Sequence, residues 1–348
     1  MLKNGTIYFR GTVKEALFYE NSENYKRGGI LLKGKRIISR INYVIPIYKL
    51  EDHILKNTEQ MNVITISIDQ VNFQLQENHQ FTWLQGLGNV FCVFDQQDSG
   101  NIIFGLEKNN KKFFVKYAGA KPIDFAGNPK DAIDRLVKAI PVYEKLEHPH
   151  VIKLVDHFSV EKGYVAVFEW FEGECLHSHW SFGGKAKYEN PKSPFYRFRN
   201  LEMEERLQAL DVIFSFHTYV ESRGFVAVDF YDGSILYNFN NNETKICDID
   251  FYRKSPSVND LGENFWGANR SKSPEELDLG SPIDSKTNVF NLGAIAFGLL
   301  GGEKDHSFSK WEANGRLYEV ALRAVNENRA KRFTTVGEFY KAWKSALK

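Results

Sequence analysis

Between Thr82 and Glu169 five short strand-like runs surround one helical segment, and beyond Asn200 the long segments read as helices. The strand-like runs are Val90–Phe94 and Asn101–Gly105 around the polar turn Asp95–Gly100, then Lys112–Tyr117, Val151–His157 and Tyr164–Glu169. Asn128-Pro129-Lys130-Asp131 has the residues of a helix start, and the helix runs through Ala132–Leu146, with Pro141 expected to kink or end it. A small sheet with one helix, followed by a helical half, implies an α+β chain in two lobes: a β-rich lobe over 79–171 and a larger helical lobe over 172–348.

In the second half, Cys175–Asn200 is polar, aromatic and proline-bearing, and reads as a long loop or insertion. Glu202–Ser222 has the pattern of an amphipathic helix, as do Gly315–Asn328 and Thr335–Leu347. Asn288–Leu300 is apolar nearly all round, so it is expected to be buried. Phe225–Val228, Ile235–Asn238 and Lys245–Ile249 are short strand candidates, and 251–272 reads as an exposed loop. Ahead of both lobes, residues 1–78 carry strand candidates at Thr6–Arg10, Gly29–Leu32, Asn42–Tyr48 and Val63–Ile68, so they read as a β-rich amino-terminal extension.

Composition narrows the partners. Lys and Arg total 45 against 44 Asp and Glu, a net charge of +1 that gives no electrostatic case for nucleic acid or an acidic membrane. Three cysteines, Cys92, Cys175 and Cys247, are odd in number and far apart, which suits a reducing compartment. The start, Met-Leu-Lys-Asn-Gly-Thr, lacks the layout of a signal peptide, and the longest apolar run, Val289–Leu300, falls short of the about 20 residues that span a bilayer. A cytoplasmic protein is expected.

Chemistry gathers in two stretches, Gly224-Phe-Val-Ala-Val-Asp-Phe-Tyr-Asp-Gly-Ser-Ile-Leu-Tyr and Lys245-Ile-Cys-Asp-Ile-Asp-Phe-Tyr. Asp229 and Asp250 each follow an apolar strand, 21 residues apart, room for one hairpin. Two carboxylates at facing strand ends suit a metal–phosphate site.

With these stretches in place, the chain resembles the protein kinase superfamily from residue 80 to 345, on an ordered series of motifs. Gly88-Asn89-Val90-Phe91 looks like the end of a Gly-rich loop, with Gly86 nearby and Thr82 and Gln85 in the places of the earlier glycines. Phe113-Phe-Val-Lys116 stands where the strand ends in the ATP-binding lysine. Leu146-Glu-His-Pro-His-Val-Ile-Lys-Leu154 is similar to the segment after the small-lobe helix. Val167-Phe168-Glu169-Trp170 resembles the hinge, Val220–Asp229 the approach to the catalytic loop, and Asp250-Phe251-Tyr252 the metal motif. Gly267–Glu275 resembles the end of the activation segment.

The resemblance implies a phosphotransferase using ATP and Mg²⁺, most simply a Ser/Thr protein kinase. Lys116 would contact the α/β-phosphates; Gly86, Gly88 and Val90 would cover the nucleotide; Glu169 and Phe171 would hold its base. Asp250 would bind Mg²⁺, chosen over Asp248 by the Phe-Tyr pair that follows it. Asp229 would orient the attacking hydroxyl and accept its proton. Ser234 stands where the second metal ligand is usual, and Asp232 could compensate. Glu275 and Arg332 would form a buried, structural ion pair.

Several positions depart from the pattern. Ala227-Val228 replaces the usual His-Arg, so the cation that reads an activation-loop phosphate is missing, and phosphorylation of Ser255 or Ser257 is expected not to activate. Tyr231 replaces a lysine and Tyr252 a glycine. The helix glutamate that should pair with Lys116 falls on Ala139. These changes motivate a second reading, a pseudokinase binding or scaffolding module. A small-molecule kinase of the aminoglycoside or choline type is the runner-up on substrate, in place of a protein hydroxyl. Cys175, His177 and His179 lie close in sequence, but a fourth metal ligand is absent.

Overall fold

The computed structural model describes residues 63–348 and, before them, three short strands, β1 (Ile7–Tyr8), β2 (Ile30–Leu32) and β3 (Lys35–Ile37). These three form their own sheet in a unit spanning 1–61, and the expected strand Asn42–Tyr48 lies outside the described residues. The second unit begins at Asn62. It takes in the hairpin of β4 (Ile64–Ile68) and β5 (Val71–Leu75), which the sequence reading had grouped with residues 1–78. Phe73 and Leu75 explain the shift, since both bury against the sheet that follows.

That sheet has the order β6-β7-β8-β10-β9, from β6 (Asn89–Phe94), β7 (Asn101–Lys108), β8 (Lys111–Ala118), β9 (Leu154–Val160) and β10 (Gly163–Glu169). Every neighbouring pair is antiparallel. Alternation along β8 assigns its faces. Val115 and Tyr117 point to an outer core with Phe73, Leu84, Val90, Ile102 and Phe104, whereas Phe114, Lys116 and Ala118 point the other way. Helix α1 (Pro129–Lys145) covers that second face, capped by the Asn128 side chain, which accepts from the Lys130 N–H at 2.9 Å. Pro141 does not end it. Burial of Leu136, Ala139, Ile140, Val142 and Tyr143 on either side offsets the one missing backbone bond.

The helical half starts with two short helices in the expected insertion, α2 (Ala186–Glu189) and α3 (Pro194–Arg199). Helix α4 (Met203–Ser222) follows, entered through a capping box between Glu202 and Glu205. Short strands come next: β11 (Glu174–Cys175) pairs with β13 (Ile235–Asn238), which pairs with β14 (Glu243–Ile246), while β12 (Phe225–Val226) pairs with β15 (Arg253–Lys254). Ser257–Val258 pairs with Pro282–Ile283. Helix α5 (Ser285–Leu300), capped by Asp284, is buried from Thr287 to Leu300, as expected of a stretch apolar nearly all round. Helices α6 (Gly315–Ala324) and α7 (Val336–Leu347) pack on it and on α4. One apolar cluster runs from α1 and the inner sheet face through Phe214, Phe297 and Trp343. The strands and hairpins that carry the acidic residues are thereby fixed on a continuous core.

Candidate active site

Lys116 stands on β8 opposite Ala166 of β10 and Ile103 of β7, its ammonium buried under the sheet. It donates to Asp248 Oδ1 at 2.8 Å and to Asp250 Oδ2 at 2.9 Å, both just past β14. Burial disfavours the charge on Lys116, but the two carboxylates outweigh it and hold the pKa above the usual lysine value. The two acids have different settings. Asp250 is 10% exposed and uses its second oxygen to accept from the Tyr143 hydroxyl of α1 at 2.7 Å. Asp248 is 45% exposed, sits at φ 55°, and makes no other hydrogen bond through its side chain among the described residues.

Asp229 follows β12 at φ 66°, a left-handed conformation that non-glycine residues adopt at a cost. Its carboxylate is half-buried and has no hydrogen bond or ion pair among the described residues. Burial, then the charge of Asp248, pushes its pKa up to about 8, and Lys272 opposes them. The loop is held from below by Asn288 of α5, whose amide accepts from the Ala227 N–H and donates to the Ala227 carbonyl, both at 2.7 Å. No signal in the sequence marks Asn288 beyond its being one of a few polar residues in a mainly apolar helix.

Other expected members are placed differently. Asp232 is not open to a metal: buried, it faces Lys187 at 2.6 Å and pairs with Arg270. Ser234 is 1% exposed and turned into the loop itself: its N–H donates to the Tyr231 carbonyl at 2.9 Å and its hydroxyl weakly to the Asp229 carbonyl at 3.4 Å. Gly88 and Gly86 lie at the end of the sheet away from Lys116, because Asn89 pairs with Glu107 and Glu107 with Lys112. A Cβ on Gly88 would come within 2.6 Å of the Glu107 carbonyl oxygen, so Gly88 serves local packing, whereas a Cβ on Gly86 would meet open space and its carbonyl accepts from Lys108 Nζ at 2.8 Å. Val90 points into the outer core, away from Lys116. The turn on the Lys116 side is Asp95–Gly100, held to α1 by Arg135, which donates to the Ser99 carbonyl at 2.6 Å.

Glu169 ends β10 beside Phe113; its N–H donates to the Lys153 carbonyl at 2.9 Å. The Phe171 N–H makes no hydrogen bond among the described residues, and Lys245 lies 5.9 Å over its ring. Cys175, His177 and His179 do not converge: Cys175 donates to the Gly233 carbonyl, and no group of three metal-ligating side chains occurs among the described residues.

Val228, in place of the arginine, is buried with Val226, Phe265 and Ile283, and Phe251 stacks on Trp266 at 4.4 Å beside them. These side chains form one apolar cluster that joins the loop before Asp229 to the segment after Asp250. Tyr252, in place of a glycine, bonds His217 Nε2 through its hydroxyl at 2.8 Å, and burial lowers the His217 pKa to about 4, keeping it neutral. The expected Glu275–Arg332 pair forms at 2.6 and 3.1 Å, and Arg329 adds a second cation at 2.5 Å that sequence reasoning missed. No helix among the described residues is long and apolar enough to cross a membrane.

Comparison with known proteins agrees with this architecture. The family model "Protein kinase domain" matches residues 98–337. "Serine/threonine-protein kinase 36" of Pongo abelii is 23% identical over 196 residues, 56% of this chain and 14% of that protein. "Probable serine/threonine-protein kinase 2" of Plasmodium falciparum (isolate K1 / Thailand) is 23% identical over 277 residues, 78% of this chain and 49% of that protein. The chain thus spans at most about half the length of these relatives. The family match covers well over half of the chain and includes both the strand bearing Lys116 and the loops bearing Asp229, Asp248 and Asp250, so this protein belongs to the protein kinase domain family.

Proposed function

We propose that the chain is an ATP-dependent phosphotransferase that moves a phosphoryl group to a hydroxyl, with serine or threonine of a protein as the acceptor class. One observation carries the reading: a buried ammonium clamped by two carboxylates at 2.8 and 2.9 Å, within electrostatic reach of a third carboxylate that has no hydrogen-bond partner among the described residues. The donor set fits hard-cation and phosphate chemistry, because Asp248 keeps an open carboxylate oxygen and Lys116 supplies fixed positive charge. Mg²⁺, when bound, would neutralise phosphate charge and orient the transferred group. On this reading Asp248 is the metal-facing acid in place of Asp250, whose oxygens are already engaged. Lys116 orients the phosphates, and Asp229 receives the acceptor proton. Ser234, Gly86, Gly88 and Val90 have no direct part; Glu169 and Phe171 border the base through their backbone.

The test is Mg-ATP binding and turnover in wild type, Lys116→Met and Asp248→Asn. Wild type is expected to melt higher with millimolar Mg-ATP, and less so with ATP plus chelator; each variant should lose about 10²-fold or more of turnover. Absence of any nucleotide stabilisation in wild type would end the enzyme reading.

A second reading, a module that binds without transferring, draws on Phe114. This ring shares the Lys116 face of β8 and contacts Phe168 at 6.2 Å, narrowing the space where a base would lie. Stabilisation by Mg-ATP without turnover would favour it.

A further inference from the structure

Lys116 lacks the helix acid that would ordinarily steady such a lysine, since Ala139, fully buried, occupies that place on α1. One turn on, Tyr143 shares the same helix face. Its hydroxyl donates to Asp250 Oδ1 at 2.7 Å, and Asp250 Oδ2 accepts from Lys116 at 2.9 Å. The Tyr143 ring is 3% exposed and packs edge-on against Phe168 at 4.8 Å, so its position is set by core packing.

We propose that Tyr143 is a positioning residue that acts through Asp250 to place the Lys116 ammonium, leaving Asp248 free to face the ligand. The proposal rests on the phosphotransferase reading above. The charge balance explains the residue type. Asp248 and Asp250 already bring two negative charges to one ammonium, so a glutamate on α1 would add a third carboxylate and be repelled. A phenol links helix to acid with a charge-assisted hydrogen bond and no added charge. Asp250, with both oxygens engaged, is the anchor. Asp248, at 45% exposure, is the acid able to turn toward solvent. Movement of α1 therefore moves Asp250 and, with it, Lys116.

The experiment compares the full chain with Tyr143→Phe, Asp250→Asn and the double variant. Tyr237→Phe, which loses a hydroxyl bonded to Asn242 at 3.1 Å, controls for loss of a phenol elsewhere. Two readouts are taken: kcat and KM for Mg-ATP, and the rate at which trinitrobenzenesulfonate modifies Lys116, followed by peptide mass spectrometry. Tyr143→Phe is expected to lower kcat/KM for ATP about tenfold, mainly through KM, and to speed Lys116 modification at least threefold. The double variant should be no worse than Asp250→Asn alone, since both changes break one chain of contacts. Tyr143→Phe matching Tyr237→Phe in Lys116 modification, or effects that simply add in the double variant, would overturn the proposal. The labelling rate decides the point even in a chain that shows no turnover, a result that would sink the phosphotransferase reading instead.

Discussion

Asp229→Asn is expected to lose about 10²–10⁴-fold in phosphoryl transfer and yet unfold at a higher temperature than wild type at pH 8–9. Both effects come from one carboxylate. Burial, reinforced by Asp248, pushes the Asp229 pKa up to about 8, whereas an unfolded aspartate titrates near about 3.9. A group raised in the folded state contributes stability that is full below the unfolded value and is lost as pH rises through the folded one. Ionised Asp229 therefore costs the folded chain most above pH 8, where an uncharged side chain avoids that cost. Asparagine also tolerates the φ of 66° at this position better than most residues. Solvent reaches the half-buried carboxylate, which limits the expected gain to about 1 kcal/mol. Because the proton acceptor must be ionised, wild-type kcat/KM should climb with pH and level off above about 8. Melting curves at pH 6 and 9 with a pH–rate profile check all three. An Asp229→Asn chain that melts lower at pH 9, or keeps wild-type turnover, contradicts the assignment.

Lys187→Met should cost about 3–5 kcal/mol in urea unfolding and slow turnover as well. Lys187 comes from the insertion and is 2% exposed. Its ammonium lies 2.6 Å from Asp232 and 3.0 Å from Glu303, above the rings of Phe195 and Tyr188. Removing it leaves Arg270 as the one cation shared by the two acids among the described residues, with Asp232 buried and Glu303 still bonded to the Tyr188 hydroxyl. Burial alone would push the Asp232 pKa up, but Lys187 and Arg270 together hold it below the ordinary carboxylate range. That stabilisation is present above the unfolded aspartate value and fades as pH falls through the lower folded one. The penalty of Lys187→Met should accordingly be larger at pH 7 than at pH 3. The effect on turnover follows from position, since Asp232 lies three residues past Asp229 in the same loop. A loss below about 1 kcal/mol would mean that the pair carries no more than a surface bridge.

The insertion shows why some roles were hidden. In sequence, Lys187 is one lysine in a polar loop, and a lysine so placed is usually solvated. Only the placement of α2, beside the loop that follows Asp229 and the turn after α5, makes it a buried partner of Asp232 and Glu303. Tyr143 was hidden for a similar reason. Helical spacing puts it one turn past Ala139, but nothing local says that Asp250 completes the contact. The glycines misled in the opposite sense. Gly86 and Gly88 resemble a phosphate loop by composition, whereas strand register sends the hairpin turn at the Lys116 end to Asp95–Gly100.

By itself the sequence determined the lobed α+β layout, the approximate extents of the main helices and the Glu275–Arg332 pair, and it singled out Lys116, Asp229 and Asp250 as the residues to test. Those follow from periodicity, caps and an ordered series of motifs, all local along the chain. Tertiary structure alone decided which acid stays open, which residue of α1 reaches Asp250, and which side of the sheet Val90 faces. The physical reason is that hydrogen-bond partnership and burial depend on residues distant in sequence, such as Lys116 and Asp250, which meet only once the sheet and the helical half share one core.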